Sequence, residues 1–384
     1  MGRRLNGDGT IFKRKDGRWS AQAYVTLVNG AQKRICITAK TREIVRQKLS
    51  KILDQERQRV AYVEKDWTVS EYIDYWLQNV QSKRVRMTTI LTYRQISEKY
   101  IKPTLGRHRL KDLHMRHVRG ALDTLREQGC GGATLQKFYQ VLSTCMNCAM
   151  REELVFRNVV TLVEKPRYTA KETSIWTAEQ AAHFLQNVTD HPLYIAFLLL
   201  LTYGMRRGEV LGLRWCDIDF DSDAIHIRQQ VGRINGQIIA RDVKTTNSRR
   251  TLPLMENVRK ALLEHAKKKG ISIPPFNPHF EISTQGMVVA SNTGTPIEPG
   301  NLIRCFDLLT KKAGLPRIKV HAMRHTAATV LKDLNVPVKD AQLILGHANI
   351  STTLNIYQHG TFESHRTAIS AIEERLLAGN KITA

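Results

Sequence analysis

Gly204-Met205-Arg206-Arg207-Gly208-Glu209 sets two arginines and a carboxylate directly after an apolar run. A guanidinium standing where a helix leaves the core can grip a phosphate with two parallel N–H donors, or it can reach past the core to water. Lys244 opens the polar stretch Lys244-Thr245-Thr246-Asn247 between two strand-like runs, where a lysine is either solvated or placed to enter a DNA groove. At His321-Ala322-Met323-Arg324 the i, i+3 spacing puts an imidazole and another guanidinium on one side of a helix. Leu345-Gly346-His347 follows, and Tyr357 lies ten residues beyond it in LGHANISTTLNIYQH. Alone, that last stretch is also the pattern of a short amphipathic helix, capped by Asn349 or Ser351, that buries Leu354 and Ile356 and packs Tyr357 against a core.

The elements that must carry these residues follow from periodicity. A segment opening near Ser174 begins with the capping pattern Thr177-Ala178-Glu179-Gln180. Tyr194 to Met205 is the longest apolar run; it is too short to span a bilayer and ends in Arg206 and Arg207, so it reads as a buried helix. Ile225-His226-Ile227 and Ile238-Ile239 alternate like strands, and Asp242 to Leu254 reads as strand, polar turn and strand with Lys244 at the lip of the hairpin. His321 to Thr326 leads into a helix over Ala327 to Leu334. Beyond Tyr357, His365 to Leu377 carries Ile369, Ile372 and Leu376 at i, i+3 and i+7, an apolar stripe that must be buried somewhere.

Two further segments precede this one. From Gly9 to about Thr38, Trp19, Ala21, Ala23, Val25 and Leu27 alternate with Ser20, Gln22, Tyr24 and Thr26, with turns at Lys15-Asp16-Gly17 and Asn29-Gly30. A helix from about Thr41 to Val60 follows, its apolar stripe being Ile44, Val45, Leu49, Ile52 and Leu53. Residues 1–64 hold 15 Lys and Arg against 6 Asp and Glu, with Arg3, Arg4, Lys13, Arg14, Lys15 and Arg18 crowding the first strands. A basic ribbon of this kind can enter a major groove, although a solvated charged surface has the same composition. Residues 65–163 look wholly helical from Trp67-Thr68-Val69 onward, with Val69, Tyr72, Ile73, Trp76 and Leu77 in the first helix and later helices near 88–100, 115–127 and 134–152. Lys83, Arg84, Arg86 and Arg94 suit a module lying over a DNA backbone as well as they suit a solvated face. The polar, proline-containing stretch 164–173 reads as a linker, and 174–384 as the third domain.

The bulk composition narrows the class. A chain of 384 residues exceeds the usual size of one core, and 42% hydrophobic residues suffice to fold two or three domains. A net charge of +24 calls for a polyanionic partner, nucleic acid before an anionic membrane. The start, MGRRLNGDGT, has no apolar stretch behind it, so no secretory signal is expected and the protein is expected in the cytoplasm. Of six scattered cysteines only Cys145 and Cys148 form a C-x-x-C; without a second Cys or His pair, and beside Leu142, Met146 and Met150, they read as structural thiols, and no metal site is expected.

Taken in order, Gly-x-Arg-x-x-Glu, Lys244, His-x-x-Arg-His-Thr, Leu-Gly-His and Tyr357 resemble the tyrosine recombinases, and the three-segment layout resembles their phage-integrase branch. Ala322 stands where relatives often hold an aspartate without a catalytic role. The resemblance implies a multidomain α+β fold: a small three-stranded β-sheet plus helix as an arm-type DNA-binding domain (1–64), an all-α core-binding domain (65–163), and a mainly α catalytic domain with a small β-sheet (174–384). It implies a site-specific recombinase that cleaves and rejoins DNA through a 3′-phosphotyrosine, integrating or excising a mobile element. Tyr357 would be the nucleophile, Arg206 and Arg324 the clamp on the non-bridging oxygens, Lys244 the general acid for the leaving 5′ oxygen, and His321 the general base. His347 would hydrogen-bond a non-bridging oxygen, and Glu209 would orient Arg206 and His321. No cofactor is implied. The implied partners are double-stranded attachment sites of core and arm type and further copies in a homotetramer on DNA, with an excisionase or a host DNA-bending protein as possible accessories; the implied place is the nucleoid of a bacterial host. The helix of the tail would be exchanged between protomers or folded back. A type IB topoisomerase and a non-catalytic DNA-binding protein remain as alternatives.

Overall fold

The computed structural model describes residues 9–26, 32–57, 66–168, 174–243 and 248–357, together with Ser370. The chain divides into two compact units, Met1–Lys171 and Glu172–Ala384. The boundary falls within the stretch read as a linker.

Two separate cores occupy the first unit. Strands β1 (Thr10–Lys13), β2 (Trp19–Thr26) and β3 (Gln32–Ala39) form an antiparallel sheet in that order, and α1 (Arg42–Arg57) covers one face. Period-two alternation buries Ala21, Ala23 and Val25 of β2 against Val45 and Leu49 of α1. Ile44, expected in the apolar stripe, is 42% exposed because only the Val45–Leu49 face meets the sheet. Ser20, expected on the wet face, is buried with its hydroxyl 3.2 Å from that of Thr38. Lys13, Arg14, Lys15 and Arg18 are exposed; Arg3, Arg4, Leu27 and the Asn29-Gly30 turn lie outside the described residues.

The second core is helical. Thr68 caps α2 (Val69–Tyr75) by accepting from the Glu71 N–H at 3.2 Å while the Glu71 carboxylate accepts from the Thr68 N–H at 2.8 Å, a reciprocal pair that fixes where the helix begins. Val69, Tyr72, Ile73, Trp76 and Leu77 are all buried. The expected helix near 88–100 is α3 (Met87–Ile96), a wider π-type turn over Ser97–Ile101, and α4 (Lys102–Leu105). Helices α5 (Met115–Glu127) and α6 (Gly132–Arg151) complete the bundle. Cys145 and Cys148 are buried in α6, where the Cys148 thiol donates to Glu152 at 3.5 Å and the Tyr72 hydroxyl donates to the same carboxylate at 3.0 Å. Lys83, Arg84, Arg86 and Arg94 are exposed.

The second unit packs α7 (Ala178–Asn187), α8 (Tyr194–Thr202), α9 (Arg207–Gly212), α10 (Glu256–Lys269) and α11 (Pro299–Lys312) around the rings of Trp176, Phe184, Phe197 and Phe306. Strands β4 (Ile218–Asp219), β5 (Ala224–Ile227) and β8 (Arg250–Pro253) form one sheet, and β6 (Gln229–Ile234) with β7 (Gln237–Asp242) a separate hairpin. This corrects the expected hairpin over Asp242 to Leu254. Asp242 pairs with Gln229 of β6, whereas Leu252 pairs with Ile225 of β5, so the two strands flanking Lys244 belong to different sheets. Helices α12 (Val320–Asp333), α13 (Val338–Leu345) and α14 (Ile350–Tyr357) close the unit. Helix α12 begins before His321 rather than at Ala327. The stretch His365 to Leu377 lies outside the described residues apart from Ser370. Among the described residues no helix is long and apolar enough to cross a membrane, and none groups three or more His, Cys, Asp or Glu side chains fit to hold a metal ion.

Candidate active site

Helix α8 is apolar on every side and buried, and the chain leaves it at Gly204 with φ +58°. A Cβ there would lie 2.5 Å from Leu345 Cδ2 and 3.2 Å from Ala327 Cβ, so only glycine lets the turn after α8 meet the middle of α12 and the end of α13. Two residues on, Arg206 is the N-cap of α9, and the Glu209 carboxylate one turn in accepts from the Arg206 N–H at 3.0 Å and from its Nη1 at 2.7 Å. Nη2 of Arg206 donates to the Gly346 carbonyl at 2.7 Å.

Glu209 is 2% exposed. Burial alone would raise its carboxyl, but the charges of Arg250 and Arg206 outweigh that and hold it below the usual carboxylate range. Its second partner is Arg250, whose Nη2 donates to Oε2 at 3.0 Å; no bond joins Glu209 to His321 among the described residues. Arg250 enters from β8 and also donates from Nε to the Ile344 carbonyl at 2.8 Å and from Nη1 to the Ser248 carbonyl at 3.2 Å. Gly346 ends α13 at φ +66°, and a Cβ on it would lie 2.8 Å from Arg250 Nη1. The sequence reading missed Arg250. The signal was available, because Arg250 shares a strand face with the buried Leu252, and a cation on the core side of a strand needs a buried acceptor.

Arg324 comes from the first turns of α12 and is 3% exposed. Its Nη1 donates to the Gly204 carbonyl at 2.8 Å and its Nε to His347 Nε2 at 3.3 Å. Nη2 is buried with no partner among the described residues. Burial, and then repulsion from Arg206, pull the guanidinium down to about 9. His347, 8% exposed, is pushed down to about 4 by burial and then by Arg324 and Arg206, so it is neutral at physiological pH. Its Nδ1 lies 2.8 Å from Thr353 Oγ1. His321, in the first turn of α12, lies at the surface edge-on to His325 at 5.4 Å; desolvation and then the charges of His325 and Arg324 hold it below the usual histidine range.

Tyr357 is the last residue of α14. Its hydroxyl is buried without a partner among the described residues, and desolvation raises its pKa above the usual tyrosine value. Asn349 caps the helix by accepting from the Ser351 N–H at 3.0 Å. The helix is not seated by Leu354, which is 36% exposed, but by Thr353, which is fully buried; Thr353 is the second residue the sequence reading missed. Lys244 lies outside the described residues.

Arg206 and Arg250 thus share the single carboxylate of Glu209 while Arg324, held by the Gly204 carbonyl and His347, feels the charges of all three, leaving two positive charges unbalanced and one guanidinium N–H unsatisfied in a buried place. Leaving buried cations unpaired is costly, so such a cluster is built for an anion it does not itself contain. A phosphate fits that requirement, and the class this points to is an enzyme that acts on phosphate esters.

Comparison with known proteins agrees. Residues 175–364 match the Phage integrase family, and residues 68–126 match the Phage integrase, N-terminal SAM-like domain. A tyrosine recombinase XerC-like protein of Caldanaerobacter subterraneus subsp. tengcongensis is 27% identical over 326 residues, covering 80% of this chain and 83% of that protein. The transposase from transposon Tn916 of Enterococcus faecalis is 25% identical over 366 residues, covering 91% and 87%. Among solved structures, the Tn1549 transposon integrase in complex with transposon right end DNA has a TM-score of 0.68 at 23% identity, covering 80% of this chain and 99% of that one. A lambda integrase from a tetramer bound to a Holliday junction has a TM-score of 0.58 at 16% identity, covering 94% and 98%. The chain belongs to the phage integrase family of tyrosine recombinases.

Proposed function

We propose that this protein is the integrase of a mobile element, cutting and rejoining DNA at attachment sites through a 3′-phosphotyrosine. The observation that carries the reading is the buried, unpartnered Nη2 of Arg324 in a cluster with two excess positive charges. A scissile phosphate supplies the missing acceptor, and the charge that builds on its non-bridging oxygens as the phenol attacks is what two guanidiniums stabilise best.

In this reading Tyr357 Oη attacks phosphorus in line. The Tyr–O–P bond forms as the P–O5′ bond breaks, the phenol proton passes to His321, and O5′ takes a proton from Lys244. Presenting a tyrosine of ordinary pKa as phenoxide at neutral pH costs roughly 4 kcal/mol, and the raised pKa of Tyr357 adds to this, so the phenol stays neutral until a phosphate and a base are both in place. Arg206 and Arg324 grip the non-bridging oxygens with His347 beside them, and Glu209 with Arg250 holds Arg206 in line. Reversal with another 5′-hydroxyl rejoins the strands, so the phosphodiester energy is retained.

Residues 1–64 serve as the arm-type DNA-binding domain, with Arg3, Arg4, Lys13, Arg14, Lys15 and Arg18 on phosphates. Residues 65–163 serve as the core-binding domain through Lys83, Arg84, Arg86 and Arg94, and 174–384 as the catalytic domain. The relatives bound to DNA, one of them a tetramer on a Holliday junction, support double-stranded attachment sites as partners and a homotetramer as the working assembly. The place of action is the nucleoid of a bacterial host, with an excisionase or a DNA-bending protein as accessory. Incubation with a nicked suicide site, followed by denaturing electrophoresis, should show a covalent adduct with the wild type and none with Tyr357→Phe, while both bind the site. An adduct formed by Tyr357→Phe overturns the assignment of the nucleophile, and relaxation of plasmids lacking any attachment site points to a topoisomerase instead.

A further inference from the structure

We propose that Thr353 is a positioning residue that couples His347 to the helix carrying the nucleophile; the inference rests on the recombinase reading above. Thr353 is fully buried, and it stands one helical turn before Tyr357, so both project from the same side of α14. Its Oγ1 lies 2.8 Å from His347 Nδ1. The direction of that bond follows from the other side of the ring. A guanidinium carries only donors, so His347 Nε2, 3.3 Å from Arg324 Nε, must present its lone pair. The proton of the neutral ring is then on Nδ1, and Thr353 accepts it. The Gly204 carbonyl, Arg324, His347 and Thr353 form one chain of hydrogen bonds, which ends a single turn from the phenol.

This chain has to change when a phosphate arrives. To donate to a non-bridging oxygen, His347 needs its proton on Nε2, and Nδ1 then becomes an acceptor. A hydroxyl at 353 serves both states, because it can accept from Nδ1–H and then turn to donate to the bare Nδ1. The imidazole therefore keeps its orientation, and the helix bearing Tyr357 stays seated, while the ring changes from partner of Arg324 to partner of the phosphate. Valine has the shape of threonine and can do neither; serine can do both.

Single-turnover adduct formation on a saturating suicide half-site, with half-site affinity measured alongside, tests this in the full chain. Thr353→Val is expected to slow adduct formation by ~10–100-fold, the loss of a hydrogen bond on a catalytic group, while half-site affinity changes by less than about twofold. Thr353→Ser is expected to stay within about threefold of the wild type. In a His347→Ala background, Thr353→Val should cost little more, because its effect passes through the imidazole. A wild-type rate in Thr353→Val, a Thr353→Ser as slow as the valine variant, or an equal loss in the His347→Ala background would each overturn the proposal, the last by showing that Thr353 only packs the helix. If instead the wild type forms no adduct, the recombinase reading itself fails.

Discussion

Replacing Arg324 with methionine is expected to stabilise the DNA-free protein while abolishing DNA cleavage. Burial, and then Arg206, hold this guanidinium at about 9, well below the usual arginine range. For a base, a depressed folded-state value means that its charge is disfavoured in the folded protein. The penalty is present in full at every pH below about 9 and shrinks only above it, as the folded state gives up the proton first. At neutral pH it amounts to roughly 5 kcal/mol. Against it stand the charge-assisted bonds to the Gly204 carbonyl at 2.8 Å and to His347 at 3.3 Å, together worth about 2–4 kcal/mol. The neutral side chain therefore gains about 1–3 kcal/mol, which for a unit of this size raises the melting temperature by roughly 2–10 °C. Calorimetry of the full chain at neutral pH without DNA reads that shift, and single-turnover cleavage reads the expected loss of ~100–1000-fold. Half-site DNA should then stabilise the wild type more than the variant, since phosphate satisfies Nη2 only where the guanidinium is present. A lower melting temperature in the variant would refute the reasoning, because it would mean that the buried nitrogen is already satisfied in solution. Equal stabilisation of both proteins by DNA would refute the assignment of phosphate as the missing partner.

His347, held at about 4, stays neutral in the fold while the unfolded chain gains a proton near the ordinary histidine value, so stability should fall as pH drops from about 6.5 to 4. The contribution reaches about 3 kcal/mol, and acid titration of His347→Asn should show a correspondingly shallower decline. Gly346→Ala should cost about 2–4 kcal/mol in chemical denaturation, combining strain at φ +66° with a Cβ placed 2.8 Å from Arg250, and cleavage should fall with it. Lys244→Ala should lose cleavage of ordinary DNA yet recover much of it when the 5′ bridging oxygen is replaced by sulfur, which leaves without a proton; absence of recovery would remove Lys244 from the role of acid. Deleting residues 1–64 should reduce the salt slope of long-site binding, measured as log affinity against log salt, and an unchanged slope would rule out that segment as the arm-binding module.

What the sequence made legible was local. Arg206, Glu209, His321, Arg324, His347 and Tyr357 each stand in a short motif whose residue types suggest phosphate, and their order along the chain pointed to one family. Pairing across distance was not legible. Asp242 and Arg250 flank one polar stretch and look like the arms of a hairpin, yet β8 pairs with β5 because Leu252 and Ile225 share a buried face. That choice of partner hid Arg250, which stands at the start of β8 and is held by Glu209. Thr353 was hidden for a different reason. Apolar periodicity marks Leu354 as the residue that seats the helix, and a threonine is found only by asking which buried group its hydroxyl must satisfy.

The two glycine motifs gain a physical meaning from these contacts. Arg206, in the motif that begins with Gly204, is aimed by the carbonyl of Gly346, and Arg324 is aimed by the carbonyl of Gly204. The Leu-Gly-His motif therefore holds the arginine of the Gly204 motif, and the Gly204 motif holds the arginine of the His-x-x-Arg motif, across 140 residues in one case and 120 in the other. Both glycines sit at positive φ where a side chain would strike Leu345 or Arg250, so neither carbonyl can be presented from another residue without moving the turn that carries it. The spacing of the motifs along the chain is then free to drift with loop length, while their mutual contacts fix where the two guanidiniums point. A change at either glycine is felt first at an arginine more than a hundred residues away, and the pair of guanidiniums behaves as one object rather than as two separate residues.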